Sequence, residues 1–208
     1  MPAFLSDFFY EFVTLLVVLD PVGVIPLFLA VVGGLDRRRS ILVAFYAVLI
    51  AFFILLFFIV AGQSLLAALK IQMPSFQLAG SLVLLLFGLQ MVLGKMSEQM
   101  ASLPPEAMLL DRAVYPLAIP NIAGPGAILT VVLLTDNRAR TVEEQVITTG
   151  VLALGLVVMF AAFGLATLIF RFLGRAGIEV VTRVSGLILA SIAVTGLIES
   201  IKVSFGLS

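Results

Sequence analysis

Two residue types that proteins use for metal sites and reactive nucleophiles are missing: the 208-residue chain has no cysteine and no histidine. Their absence excludes disulfides, thiolate or imidazole metal ligation, and every nucleophile arrangement that relies on an imidazole base. Any proton chemistry therefore falls to carboxylates. Charge is scarce as well, at 12% of residues, and it cancels, with 12 Lys plus Arg against 12 Asp plus Glu. The cations sit in short loops rather than in a basic stripe, so no nucleic-acid partner is expected. A Gly-Lys-Ser/Thr phosphate loop is also lacking, so no ATPase is expected in the chain, and neither an enzymatic activity nor a metal or organic cofactor. Met1 to Tyr10 holds no Lys or Arg. The cationic start of a secretory signal is thus missing, and the first apolar segment is expected to be a permanent span.

What remains is apolar. Hydrophobic residues make up 62% of the chain and the mean hydropathy is +1.25, a balance foreign to soluble domains of this length. Runs such as Ile41 to Leu69 and Gln145 to Phe172 exceed the roughly 20 residues that cross a bilayer. The expectation is an all-α integral membrane protein with six spans near Asp7 to Val32, Ile41 to Leu69, Phe76 to Leu93, Val114 to Leu134, Gln145 to Phe172 and Val184 to Ile201. The polar stretch from Lys95 to Ala113 reads as a linker, so that residues 1–94 and 114–208 form two three-span halves around a connection at 95–113.

The halves echo each other. Asp20-x-x-Gly23 and Asn121-x-x-Gly124 lie 101 positions apart, and the same shift carries Arg37 to Arg138, Arg39 to Arg140, Ser40 to Thr141 and Lys70 to Arg171. Ala79-Gly80 matches Ser185-Gly186 at an offset of 106. Three spans is an odd number, so the second half re-enters from the opposite side, which gives an inverted-topology repeat. Loops one, three and five hold eight Lys and Arg, whereas the termini and even loops hold four. The positive-inside rule then puts the odd loops in the cytoplasm and both termini outside.

The first and fourth spans carry helix breakers at depth. Asp20-Pro21-Val22-Gly23-Val24-Ile25-Pro26 loses amide donors at Pro21 and Pro26, and Gly23 adds backbone freedom. Asp20 is expected to cap the half-helix that restarts beyond it. Pro116, Pro120, Asn121, Gly124, Pro125 and Gly126 repeat the pattern, with Asn121 as the neutral counterpart of Asp20. Irregular backbone survives in hydrocarbon only when buried in protein or lining a cavity. Half-helix N-termini meeting there offer amides to a carboxylate, and freed carbonyls suit a cation or an ammonium group. An intramembrane carboxylate is costly and marks function, so Asp20 is the candidate for a coupling-ion site, H⁺ ahead of Na⁺. In the sixth span Arg183 matches Gln77 of the third and is expected either to support the pathway by pairing a carboxylate or to anchor at the interface; Glu199 is expected to snorkel to the interface. Small residues at Ala79-Gly80-Ser81, Gly88, Ser185-Gly186, Ala190-Ser191 and Gly196 are expected to pack helices closely, the broken ones above all.

The strings DPVGVIPLFLA at Asp20 to Ala30 and YPLAIPNIAGPGAILTV at Tyr115 to Val131, on six expected spans, closely resemble the MarC family of integral membrane proteins. That resemblance implies a place among small neutral amino acid transporters in the cytoplasmic (inner) membrane, in a family most of whose members lack an assigned substrate. The expected function is alternating-access transport of glycine- or alanine-like solutes, with the bilayer and a small-molecule substrate as partners; self-association into a homo-oligomer stays open. A passive channel, an exporter of another small solute, or a non-transporting scaffold are the competing readings.

Overall fold

The computed structural model describes residues 3–94, 108–135 and 142–206, with side chains for 8–94, 108–135 and 145–206. Among these every regular element is helical: α1 (Ala3–Leu19), α2 (Ile25–Val31), α3 (Arg37–Ala68), α4 (Met73–Val92), α5 (Leu109–Arg112), an irregular wide-turn segment (Ala113–Ile122), α6 (Pro125–Leu134), α7 (Val142–Gly164) and α8 (Ala166–Phe205). Four of them, α3, α4, α7 and α8, are long and apolar enough to cross a membrane. Leu109–Ile122 and Pro125–Leu134 form a fifth candidate span bent by 56°. The first apolar segment qualifies only as the shorter helix Phe8–Leu19, followed by α2.

Several expectations need correction. The fifth span ends at Gly164 rather than Phe172, and the residues after it belong to α8. That helix runs on to Phe205 with a single sharp deviation at Gly174 (φ 65°, ψ −179°), a conformation open to glycine alone at low cost. Gly174 is a kink that divides α8 into two helices, so the sixth span is the helix beyond it, which starts before Val184 and ends at Phe205. Lys70 follows the end of α3 with φ 54°, whereas its proposed counterpart Arg171 lies inside α8, so that correspondence does not extend to local structure. Arg138, Arg140, Thr141 and linker residues 95–107 lie outside the described residues.

Burial follows helical periodicity. Along α3 the buried positions are Val43, Ala44, Ala47, Ala51, Leu55, Ile59, Gly62 and Leu66, a stripe at steps of three and four with many small side chains. Its other face shows Phe53, Phe57 and Val60, large apolar groups suited to lipid. The centre is filled by Leu15, Leu19, Ile25, Leu117, Ile122, Leu152 and Met159, all essentially inaccessible. Packing is ordered: α1 lies on α7 while the irregular segment lies on α3, α2 contacts α8 while α6 contacts α4, and the broadest interface joins α4 to α8.

That last interface explains most of the small residues. A Cβ placed on Gly88 would stand 2.9 Å from the Gly186 carbonyl oxygen, and one on Gly186 would stand 2.8 Å from that of Gly88, so the two backbones touch. At Gly196 the neighbour is instead the Ser81 side chain, whose hydroxyl takes the space a Cβ would need. Contrary to expectation, these residues chiefly bring α4 and α8 against each other. Gly80, beside Leu129, serves the second broken segment, as does Gly126, beside Leu84, and Ser185 meets Asp20 of the first.

Candidate functional site

The chain leaves α1 at Asp20, which adopts φ 45°. Asp tolerates this left-handed geometry better than most residues. Its N–H still bonds to the Leu16 carbonyl at 3.0 Å, and its own carbonyl accepts from Val24 at 3.2 Å. The side chain turns forward so that Oδ1 accepts the Gly23 N–H at 3.1 Å. Asp20 is thus the anchor of the Pro21–Val24 turn and not the cap of α2, which begins at Ile25 behind an uncapped Val24. Asp20 is 8% exposed, and Oδ2 is buried without a hydrogen-bond partner. The Ser185 side chain of α8 stands beside this carboxylate. A Cβ on Gly23 would overlap the Asp20 carboxylate, so this glycine is needed for close approach.

The second break is wider than its sequence indicates. Tyr115 (φ −127°, ψ 128°) and Ile119 (φ −127°, ψ 127°) are extended, each preceding a cis proline, Pro116 and Pro120. The extended geometry is what a following proline favours. Asn121 folds back so that Nδ2 donates to the Pro116 carbonyl at 2.7 Å. Gly124 sits against the Pro120 carbonyl, where a Cβ could not fit, and Pro125 opens α6 at a position that needs no amide.

These two breaks meet. A cavity of about 600 Å³ is lined by Gly23 and Pro26 from the first, by Tyr115, Pro116, Pro120 and Asn121 from the second, and by Arg175, Glu179 and Thr182 of α8. Asp20 and Pro21 sit one layer back, the Asp20 carboxylate pressed against Gly23. Gly124, Pro125 and Gly126 do not reach the cavity, and Gly126 faces Leu84 and Val18 instead. The second break thus presents its prolines and Asn121, not the start of α6. Arg183 pairs with Glu179 one turn earlier in α8, both half-exposed, and its guanidinium lies 3.5 Å from where a Gly94 side chain would begin. Glu179 and Gly94 both line the cavity, so Arg183 stands at its edge. Gln77 does not: its amide donates to the exposed Glu199 at 3.4 Å across α4 and α8.

Sequence reasoning missed Tyr115, Arg175, Glu179 and Thr182. The Glu179–Arg183 spacing of one helical turn was the available signal. It also missed Glu11, a second buried carboxylate in α1, which accepts a hydrogen bond from the Thr148 hydroxyl of α7 at 2.9 Å. Arg112, buried beside the second break, donates to the Val31 carbonyl at 2.6 Å and so holds the C-terminal end of α2.

The profile described as "MarC family integral membrane protein" matches residues 5–205. The chain belongs to the MarC family. Among similar proteins, a UPF0056 membrane protein of Aquifex aeolicus is 31% identical over 198 residues, covering 94% of this chain and 92% of its own. One from Pyrococcus horikoshii is 34% identical over 204 residues, 98% of each chain. The UPF0056 inner membrane protein YhgN of Escherichia coli K12 is 30% identical over 192 residues, 91% of this chain and 93% of its own. No solved structure matches this MarC family member.

Proposed function

We propose that this protein is a secondary transporter of small neutral amino acids, working by alternating access in the cytoplasmic membrane without a cofactor or catalytic step. The observation that carries the reading is a cavity of about 600 Å³ to which both broken segments contribute. Backbone that departs from helix at membrane depth must line such a space or be buried. The wall offers a carboxylate (Glu179), a guanidinium (Arg175), a phenol (Tyr115) and a hydroxyl (Thr182). Such a set matches a zwitterion whose ammonium and carboxylate groups need opposite partners.

The packing pattern supports a 3+3 inverted repeat, with α1–α2, α3 and α4 answered by the bent α5–α6 segment, α7 and α8. The α1–α7 contact is mirrored by the second break on α3 and α2–α8 by α6–α4, while the α4–α8 and α3–α7 contacts are each their own counterpart under such a repeat. The two breaks then belong to opposing bundles that rock around a fixed site. Asp20, with a buried and unpartnered oxygen behind the cavity wall, is the coupling-ion residue of this scheme, and H⁺ is the ion favoured. Both termini face outward.

The test is flux into proteoliposomes. Asp20→Asn and Asn121→Ala are each expected to abolish saturable glycine or alanine movement while the protein remains inserted and monodisperse. Wild-type flux in both variants would refute the site. Non-saturating flux indifferent to pH and Na⁺ gradients would identify a passive pore instead.

A further inference from the structure

A second cavity, of about 680 Å³, opens at another place, where the end of α2, the start of α3 and the α7–α8 junction converge. Its bed is apolar. Phe28 and Phe163 stack with ring centroids 4.4 Å apart, and Ile41, Phe160 and Leu168 extend the surface. Two cations stand on it, Arg37 from the first turn of α3 and Arg171 from α8, with the hydroxyl-bearing Ser40 and Thr167 beside them. Among the described residues no carboxylate lines this space. The nearest in sequence, Asp36, is engaged with Arg39 at 3.4 Å. Neither Arg37 nor Arg171 has an ion-pair partner among the described residues. The N-terminus of α3 carries no side-chain cap, so its positive pole adds to the same corner.

An apolar trough flanked by membrane-length helices and headed by two unpaired guanidinium groups is complementary to one kind of occupant. We propose that this groove is a binding site for an anionic phospholipid, whose phosphate is held by Arg37 and Arg171 while an acyl chain lies over Phe28, Ile41, Phe160 and Leu168. Guanidinium forks suit phosphate oxygens in pairs. The apolar bed suits hydrocarbon and offers a soluble anion nothing. Occupancy ties the α2–α3 end of one half to the α7–α8 junction of the other. This groove adjoins the central cavity at Leu29, but its two cations belong to the groove alone, and the proposal does not depend on what the central cavity carries.

Native mass spectrometry of the full chain, released from detergent in the presence of equal phosphatidylglycerol and phosphatidylcholine, tests the proposal. The wild type is expected to retain phosphatidylglycerol preferentially, and the Arg37→Gln/Arg171→Gln double variant to lose that preference by at least about tenfold. Arg37→Lys/Arg171→Lys should recover part of it, whereas Arg38→Gln, outside the groove, should leave it intact. Equal retention of both lipids by the wild type overturns the proposal, as does an equal loss in Arg38→Gln. Displacement of bound lipid by soluble glycerol phosphate would overturn the lipid as occupant.

Discussion

Gly23 shows how closely one residue can be specified. Its amide binds the Asp20 carboxylate, and any Cβ at this position would overlap the same group, so side chain and glycine define each other. Gly23→Ala is expected to displace the carboxylate and destabilise the protein by about 1–3 kcal/mol, the usual cost of overpacking. A lowered melting temperature in detergent, with reduced transport, is the measurement that checks it. The sequence already indicated that Asp20 and Gly23 act together, because a charge between Leu19 and Pro21 inside an apolar run needs a local donor. It did not indicate the left-handed turn at Asp20, since cap and turn differ only in which amide the carboxylate reaches.

At the scale of elements, two contacts decide how the helices sit. Backbone touches backbone at Gly88 and Gly186, so Gly186→Leu should force α4 and α8 apart. The expected outcome is loss of a monodisperse peak in size-exclusion chromatography, while a leucine at exposed Val184 leaves the peak unchanged. Arg112 joins the second break to the last carbonyl of α2. Arg112→Ala leaves a buried acceptor unmet and should cost about 1–3 kcal/mol in thermal unfolding. The apolar runs made α3, α4 and α7 legible as spans, because length and hydropathy alone decide them. The α7–α8 boundary was not legible: Leu165-Ala166-Thr167-Leu168-Ile169 is as apolar as the helices it separates, and only tertiary packing selects Gly164 as the end. The prolines announced the second break and favour the extended Tyr115 and Ile119 that widen it, whereas the fold-back of Asn121 onto the Pro116 carbonyl had no sequence signal.

For the whole molecule, the two interruptions converge on one space, and α8 closes it. Pro26, Pro120 and Asn121 could be placed at the breaks from sequence, whereas Arg175, Glu179 and Thr182 could not, because nothing local fixes the rotation of α8 against the two breaks. The absence of native cysteine makes this convergence directly measurable, since any single introduced thiol is the only reactive one. Asn121→Cys and Thr182→Cys, each in proteoliposomes, can be probed with a membrane-impermeant maleimide from either side. Labelling is expected at both positions from both sides, and at Thr182→Cys it is slowed by glycine or alanine in the concentration range that saturates transport. Failure of both thiols to react from either side would contradict it, because the two breaks would then be packed dry rather than lining a pathway.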